Sequence, residues 1–155
     1  MHVLQREVLI HAPIDRVFEF FADPANLSKI TPKSVGFRDL TPNATPMRPG
    51  LEIIHEIRWL GLPVRWHTLI EDYDPPHLFV DTQIKGPYTY WRHTHEFEDL
   101  GDQTLIRDRV QYELPFGILG TITHRLIVAR QLKRIFNYRA RKIRKLFLKT
   151  PVPAA

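Results

Sequence analysis

ILGTITHRLIVARQLKRIFNYRARKIRKLFL, residues 118–148, is the stretch on which the fold turns. Ile122, Leu126, Ala129, Leu132, Phe136, Ile143 and Phe147 recur at steps of three, four and seven, which puts them on one face at about 3.6 residues per turn. No proline interrupts the run. Pro115 and Gly117 precede it, Pro151 and Pro153 follow it, and Thr121, next to Gly120, is a candidate N-cap. The spacing predicts one amphipathic helix, roughly 45 Å long at about 1.5 Å per residue. A rod of that length needs a broad apolar surface beneath it.

Charge is divided along the chain. Residues 1–117 carry 12 Lys and Arg against 17 Asp and Glu, a net of −5, whereas residues 118–155 carry 10 basic residues and no acid, a net of +10. A basic helix of this kind is a solvated face whose last turns complement the helix dipole, and it is also a surface that can touch an anionic membrane. No motif points to a specific nucleic acid. The absence of cysteine excludes disulfides and thiolate chemistry. Met1 to Glu7 is neither a signal peptide nor a membrane span, so a soluble, cytoplasmic protein is expected. The length favours one domain, residues 1–150, with 151–155 as a disordered tail and a monomer or homodimer as the assembly.

The rest of the chain reads as strand, short helices and then sheet. Val3 to Ile10 is a strand ended by His11-Ala12-Pro13; Val17, Phe18, Phe20 and Phe21 follow on a short helix broken at Asp23-Pro24. Asp23 caps a second short helix, Ala25 to Ile30, with Pro24 in its first position. About six further strands follow, most of them alternating in polarity: Val35 to Leu40, Leu51 to Trp59, Val64 to Tyr73, Leu78 to Ile84, Tyr90 to Glu98 and Thr104 to Tyr112. Pairing Trp59 with Val64 sets Ile57 against Trp66 and Glu56 against His67. Pairing Phe97 with Thr104 sets His95 against Ile106, His93 against Asp108 and Trp91 against Val110. An α+β fold is the economical solution, a curved antiparallel sheet of about seven strands around the long helix, because each has one apolar face to bury. Curvature leaves a cavity between them.

This order of elements resembles the helix-grip fold of the START-like, or SRPBCC, superfamily, in its bacterial polyketide cyclase/dehydrase-like branch. The residues that carry the resemblance are Ile10-His11-Ala12-Pro13 with Val17-Phe18 and Phe21, and Asp23-Pro24 with Asn26-Leu27 and Thr31-Pro32. Further on they are Trp91 to Phe97, Asp108 to Tyr112, and Leu114-Pro115-Phe116-Gly117 with Leu119-Gly120. The resemblance implies an apolar pocket between sheet and long helix. Combined with strand parity, it places Phe21, Leu27, Ile53, His55, Trp66, Trp91, His93, Asp108, Val110, Tyr112, Ile122 and Leu126 on the pocket wall, with Phe21, Trp66 and Trp91 as ring-contacting residues.

The expected function is binding of a small hydrophobic molecule, a lipid, polyketide, isoprenoid or aromatic metabolite, by a carrier or sensor without a cofactor. One alternative is a cyclase, dehydratase or aromatase in which Asp108 holds His93 as general base and Tyr112 or His55 stabilises an oxyanion. The same His93–Asp108 pair also serves as a mutually satisfied buried couple with no chemistry. Another alternative is a lipid-transfer protein that docks on membranes through its basic helix. His93-Thr94-His95 has a spacing that can present two imidazoles to one metal, but no motif supplies a third ligand beyond Asp108, and no metal is expected. Phosphate-binding glycine loops, nucleophile elbows and H-E-x-x-H are absent, which leaves nucleotide, serine and zinc hydrolase chemistry unsupported.

Overall fold

A computed structural model describes residues 1–44, 46–117, 119, 122 and 124–148. The elements run β1 (His2–Ile10), α1 (Ile14–Ala22), a 3-10 turn (Pro24–Ile30), a second 3-10 turn (Lys33–Val35) and β2 (Arg38–Asp39). Then follow β3 (Glu52–Trp59), β4 (Leu62–Asp74), β5 (Leu78–Lys85), β6 (Tyr90–Asp99) and β7 (Thr104–Glu113), a π-helical turn (His124–Val128) and α2 (Ala129–Leu148). All seven strands form one antiparallel sheet in the order β1-β7-β6-β5-β4-β3-β2. Among the described residues β1 pairs only with β7, and α1 and the turns follow it in place of a hairpin partner.

Local chemistry explains the short elements. Asp23 Oδ1 accepts the Ala25 N–H at 3.0 Å with Pro24 at the first helical position, so the second short helix starts as the sequence predicts. The segment from Val35 to Leu40, expected as a strand, is mostly turn, and only Arg38 and Asp39 pair with β3. Gly36 closes that turn at φ 60°, where a Cβ would meet the Arg58 side chain.

Both hairpin registers differ from expectation by two residues. Strands β3 and β4 meet at Trp59 opposite Leu62, across a two-residue turn of Leu60 (φ 51°) and Gly61 (φ 85°). Two successive positive φ angles match the right-handed twist of the strands, and this tighter turn wins over the four-residue loop. Ile57 therefore faces Val64, His55 faces Trp66, and His67 bonds Glu52 at 2.7 Å rather than facing Glu56. In the β6–β7 hairpin Asp99 faces Thr104, so His95 lies opposite Asp108, His93 opposite Val110 and Trp91 opposite Tyr112. A slip of two keeps every side chain on its expected face, because the side-chain period is also two.

Two irregularities in the β4–β5 ladder, at His67/Thr68 and Ile70/Asp72, bend the sheet. Its concave side carries two packed clusters. Phe18 sits within 5.1 Å of Phe97 and 6.1 Å of Phe79 between ring centroids and anchors one, with Val17, Ile106 and Ile143. Trp66, Tyr88, Trp91, Val110, Leu132 and Phe136 form the other.

The last helix departs from a uniform rod. Its α-helical part covers 20 residues, roughly 30 Å, and His124–Val128 winds as a π turn before it. The wider turn changes the phase, so that fully buried Val128 takes the inward position while Ile122 and Leu126 are more than half exposed. Leu132, Phe136 and Ile143 hold the buried face as the periodicity predicts. The candidate cap Thr121, Gly120 and the tail 151–155 lie outside the described residues. Among the described residues no helix is long and apolar enough to cross a membrane.

Candidate functional site

Between the concave sheet and α2 lies a cavity of about 200 Å³. Strand parity builds its floor and sides from Ile53, His55, Ile57 and Trp59 of β3, Trp66, Thr68 and Ile70 of β4, Phe79 and Asp81 of β5, and Trp91, His93 and His95 of β6. Leu132, Ile135, Phe136 and Arg139 of α2 form its roof, and Phe21, Asn26, Leu27 and Ile30 come from α1 and the turn after it. The turn before β6 adds Tyr88. The Gln83 side chain braces that turn, its Nε2 donating to Tyr88 O at 2.7 Å and its Oε1 accepting the Tyr88 N–H at 3.3 Å. A Cβ on Gly86 would collide with the Gln83 amide, which explains the glycine there.

Seven of the twelve expected wall residues surround this cavity: Phe21, Leu27, Ile53, His55, Trp66, Trp91 and His93. The other five are placed elsewhere. Asp108 stands behind the histidines, Val110 is fully buried among Trp91 and its neighbours, and Ile122 and Leu126 are turned outward by the π turn. Tyr112 is buried against His2, Tyr88 and Trp91, with ring centroids 5.4, 5.8 and 6.1 Å away, and Tyr88 lines the cavity in its stead. The two-residue register slip sets Tyr112 opposite Trp91, and its ring packs there with His2, Tyr88 and Trp91 instead of lining the cavity.

One wall is polar. Asp81 faces His93 across β5–β6, and Asp108 faces His95 across β6–β7, so two carboxylates flank two imidazoles whose ring centroids are 3.7 Å apart. His93 Nε2 donates to Asp108 Oδ1 at 2.9 Å, and His95 Nε2 donates to Asp81 Oδ2 at 2.7 Å. The other nitrogens cross over: His95 Nδ1 is 3.1 Å from Asp108 Oδ1, outside hydrogen-bonding geometry, and His93 Nδ1 is 3.6 Å from Asp81 Oδ2. Phe79 stacks on His95 at 4.0 Å.

The titration directions follow from this arrangement. Burial disfavours the charged form of Asp108, but the bond from His93 and the close approach of His95 overcome it and hold the carboxyl below its usual range. Asp81 behaves likewise, burial being outweighed by the charge of His93 and the bond from His95. Burial and then the charge of His95 push His93 down, whereas in His95 the contacts with Asp108 and Asp81 outweigh burial and raise it. The surroundings thus favour the neutral form of His93 and the protonated form of His95. On the roof, the Arg139 guanidinium lies 5.0 Å from the Phe136 ring centre, and its buried Nε has no hydrogen-bond partner among the described residues.

His55 lies on the opposite side, 6.0 Å from Trp66 and 5.2 Å from Phe37 between ring centroids. Burial pushes its pKa down to about 4, against the weaker pull of Asp81 and Asp39. A histidine depressed when folded makes the unfolded chain the better proton binder, so stability is lost as pH falls from about 6.5 towards 4. The full loss is about 3 kcal/mol. Urea denaturation across that range in wild type and His55→Phe is expected to show a steeper decline in wild type; parallel curves would contradict it.

Asp81, Arg139 and Tyr88 escaped the sequence reading. Asp81 was detectable as an acid sharing a strand face with Phe79, and Arg139 as the position three after Phe136 on the apolar stripe.

A family model described as polyketide cyclase / dehydrase and lipid transport matches residues 10–139. A search of curated proteins finds no match. Among solved structures, a protein of Thermus thermophilus superposes with a TM-score of 0.70 at 18% identity, covering 96% of this chain and 100% of its own. A START superfamily protein from Mycobacterium smegmatis gives 0.71 at 14% identity over 94% and 99%. Major latex-like protein 151 of Panax ginseng gives 0.66 at 14% identity over 95% and 97%. At these identities the structures show a shared fold and nothing of a shared ligand. With the family match spanning most of its length, the chain belongs to the polyketide cyclase/dehydrase and lipid-transport family.

Proposed function

We propose that the protein binds a small ring-bearing molecule with one acidic or acceptor end, as a carrier or sensor. The observation that carries this reading is the buried Arg139 Nε, a donor without a partner among the described residues, on the wall of a cavity lined elsewhere by aromatic and aliphatic side chains and, on one side, by Asp81, His93 and His95. Leaving such a donor unpaired costs about 1–3 kcal/mol, which a ligand oxygen would recover. Size narrows the class further. An apolar cavity of about 150 Å³ holds benzene, so about 200 Å³ suits one or two fused rings better than a diacyl lipid. Trp66 and Trp91, edge to face at 4.9 Å, offer an apolar corner of one ring face and one ring edge for them.

Calorimetric titration with naphthoate and with naphthalene methanol tests the reading. Wild type is expected to prefer the acid by about tenfold, or 1.4 kcal/mol, and Arg139→Leu to lose that preference while keeping the alcohol. Wild-type protein that binds neither compound would sink the proposal.

Enzymatic turnover is a second reading, favoured by one observation. Asp108 holds His93 Nε2 at 2.9 Å while the ring is neutral and lines the cavity, the arrangement of an oriented general base. It suits proton abstraction next to a carbonyl, as cyclisation and dehydration require. Once a turned-over substrate is in hand, His93→Ala is expected to lower kcat by about 10²–10⁴-fold. Unchanged kcat would leave binding alone.

A further inference from the structure

Asp81, His93 and His95 converge in a way that neither ligand binding nor proton transfer requires. Their donor atoms lie within 4.8 Å of one another, on adjacent strands β5 and β6 and on the wall of the cavity. The nitrogens that approach Asp81 Oδ2 are His95 Nε2 at 2.7 Å and His93 Nδ1 at 3.6 Å. Those two distances bracket the roughly 3.3 Å between two donors on one ion with bonds of about 2.0–2.2 Å. From this geometry we propose that Asp81, His93 and His95 form a binding site for a divalent transition-metal ion of the zinc or iron(II) type.

Asp108 fits the proposal from behind. Its Oδ1 lies 2.9 Å from His93 Nε2 and 3.1 Å from His95 Nδ1, the two nitrogens that point away from Asp81. Asp108 thus holds the His93 ring by its outer nitrogen and lies beside the outer nitrogen of His95, while the inner nitrogens of both rings face Asp81. Metal-bound histidines are held in this way, because the outer bond fixes the tautomer and raises the basicity of the coordinating nitrogen. Asp108 is a positioning residue here, not a ligand.

Two imidazoles and one carboxylate are borderline donors that select zinc or iron(II) over magnesium or calcium, and three protein ligands leave positions open towards the cavity. The site goes beyond the ligand-binding reading and does not depend on it. An ion placed here makes His93 Nδ1 a ligand rather than a base.

The test uses the untagged full chain, stripped with a chelator and titrated with Zn²⁺ by calorimetry and with Co²⁺ by visible absorption and proton NMR. The expected result is one ion per chain, with the paramagnetic shift on the His93 and His95 imidazoles rather than on surface His2, His11 or His67. Asp81→Asn is expected to abolish this binding, and Asp108→Asn to weaken it by about 10–100-fold while leaving the three ligands in place. The NMR arm needs no variant, so a misfolded substitution cannot mask the answer. No stoichiometric binding to wild type, or binding whose shifts fall on the surface histidines, would overturn the site. Neither result bears on naphthoate binding, which tests the cavity separately.

Discussion

Asp108→Ala is expected to lower the free energy of unfolding by about 3–5 kcal/mol, because it removes one partner from a buried charged cluster and leaves the rest uncompensated. Asp108 is 6% exposed, and its Oδ1 accepts the hydrogen bond from His93 Nε2. Without it His93 Nε2 loses that acceptor, His95 keeps only Asp81, and Arg139 loses one of the two carboxylates whose charge favours its own. For a chain of this size the loss corresponds to a melting point lower by roughly 10 °C or more. Thermal and urea denaturation followed by circular dichroism measure it. A change below about 1 kcal/mol would mean that the four side chains are not coupled as the distances indicate.

The second large effect separates binding from folding. Ile135, half-buried on α2, forms part of the cavity roof without belonging to either packed cluster. Ile135→Trp directs an indole into the space that a ligand ring would occupy, and nothing tightly packed has to move. Stability is expected to stay within about 1–3 kcal/mol of wild type, the usual range for an enlarged side chain. Affinity for naphthoate is expected to fall more than about 100-fold, or 2.7 kcal/mol. Calorimetry beside a urea curve checks both halves. Naphthoate binding that survived intact would move the site out of the cavity.

Sequence periodicity reaches far into this fold and stops at identifiable places. Strand alternation is a two-residue signal, so it assigns His93, His95 and Trp91 to the concave face even though the expected hairpin partners are off by two. Turn geometry is a backbone property. Nothing in Leu60-Gly61 announces that leucine will adopt φ 51°, and the β3–β4 register follows from the two-residue turn that this angle and the φ of Gly61 form together. The long helix is legible from Leu132 onwards because a 3.6-residue period holds there. A five-residue π turn leaves no trace in such a pattern, which is why Ile122 and Leu126 are expected inside and stand outside.

The polar wall is half legible for a related reason. Pairing β6 with β7 is local, and it brings Asp108 to the histidines. Asp81 comes from β5, whose partnership with β6 is set by a turn of four residues, Gly86 to Thr89, and by the bulges in β4. Arg139 reaches the same wall only when α2 crosses the sheet, a tertiary event that no local spacing encodes. The histidines of one strand make an incomplete metal site by themselves. A third ligand from the neighbouring strand completes the set.

A crystal structure of the full chain grown with naphthoate tests the account most directly. The rings are predicted to lie between Trp66 and Leu132, with the carboxylate accepting from Arg139 Nε, and α2 in the position described here. Naphthoate bound only on the outer surface, or a cavity closed by its own side chains at saturating ligand, would contradict it.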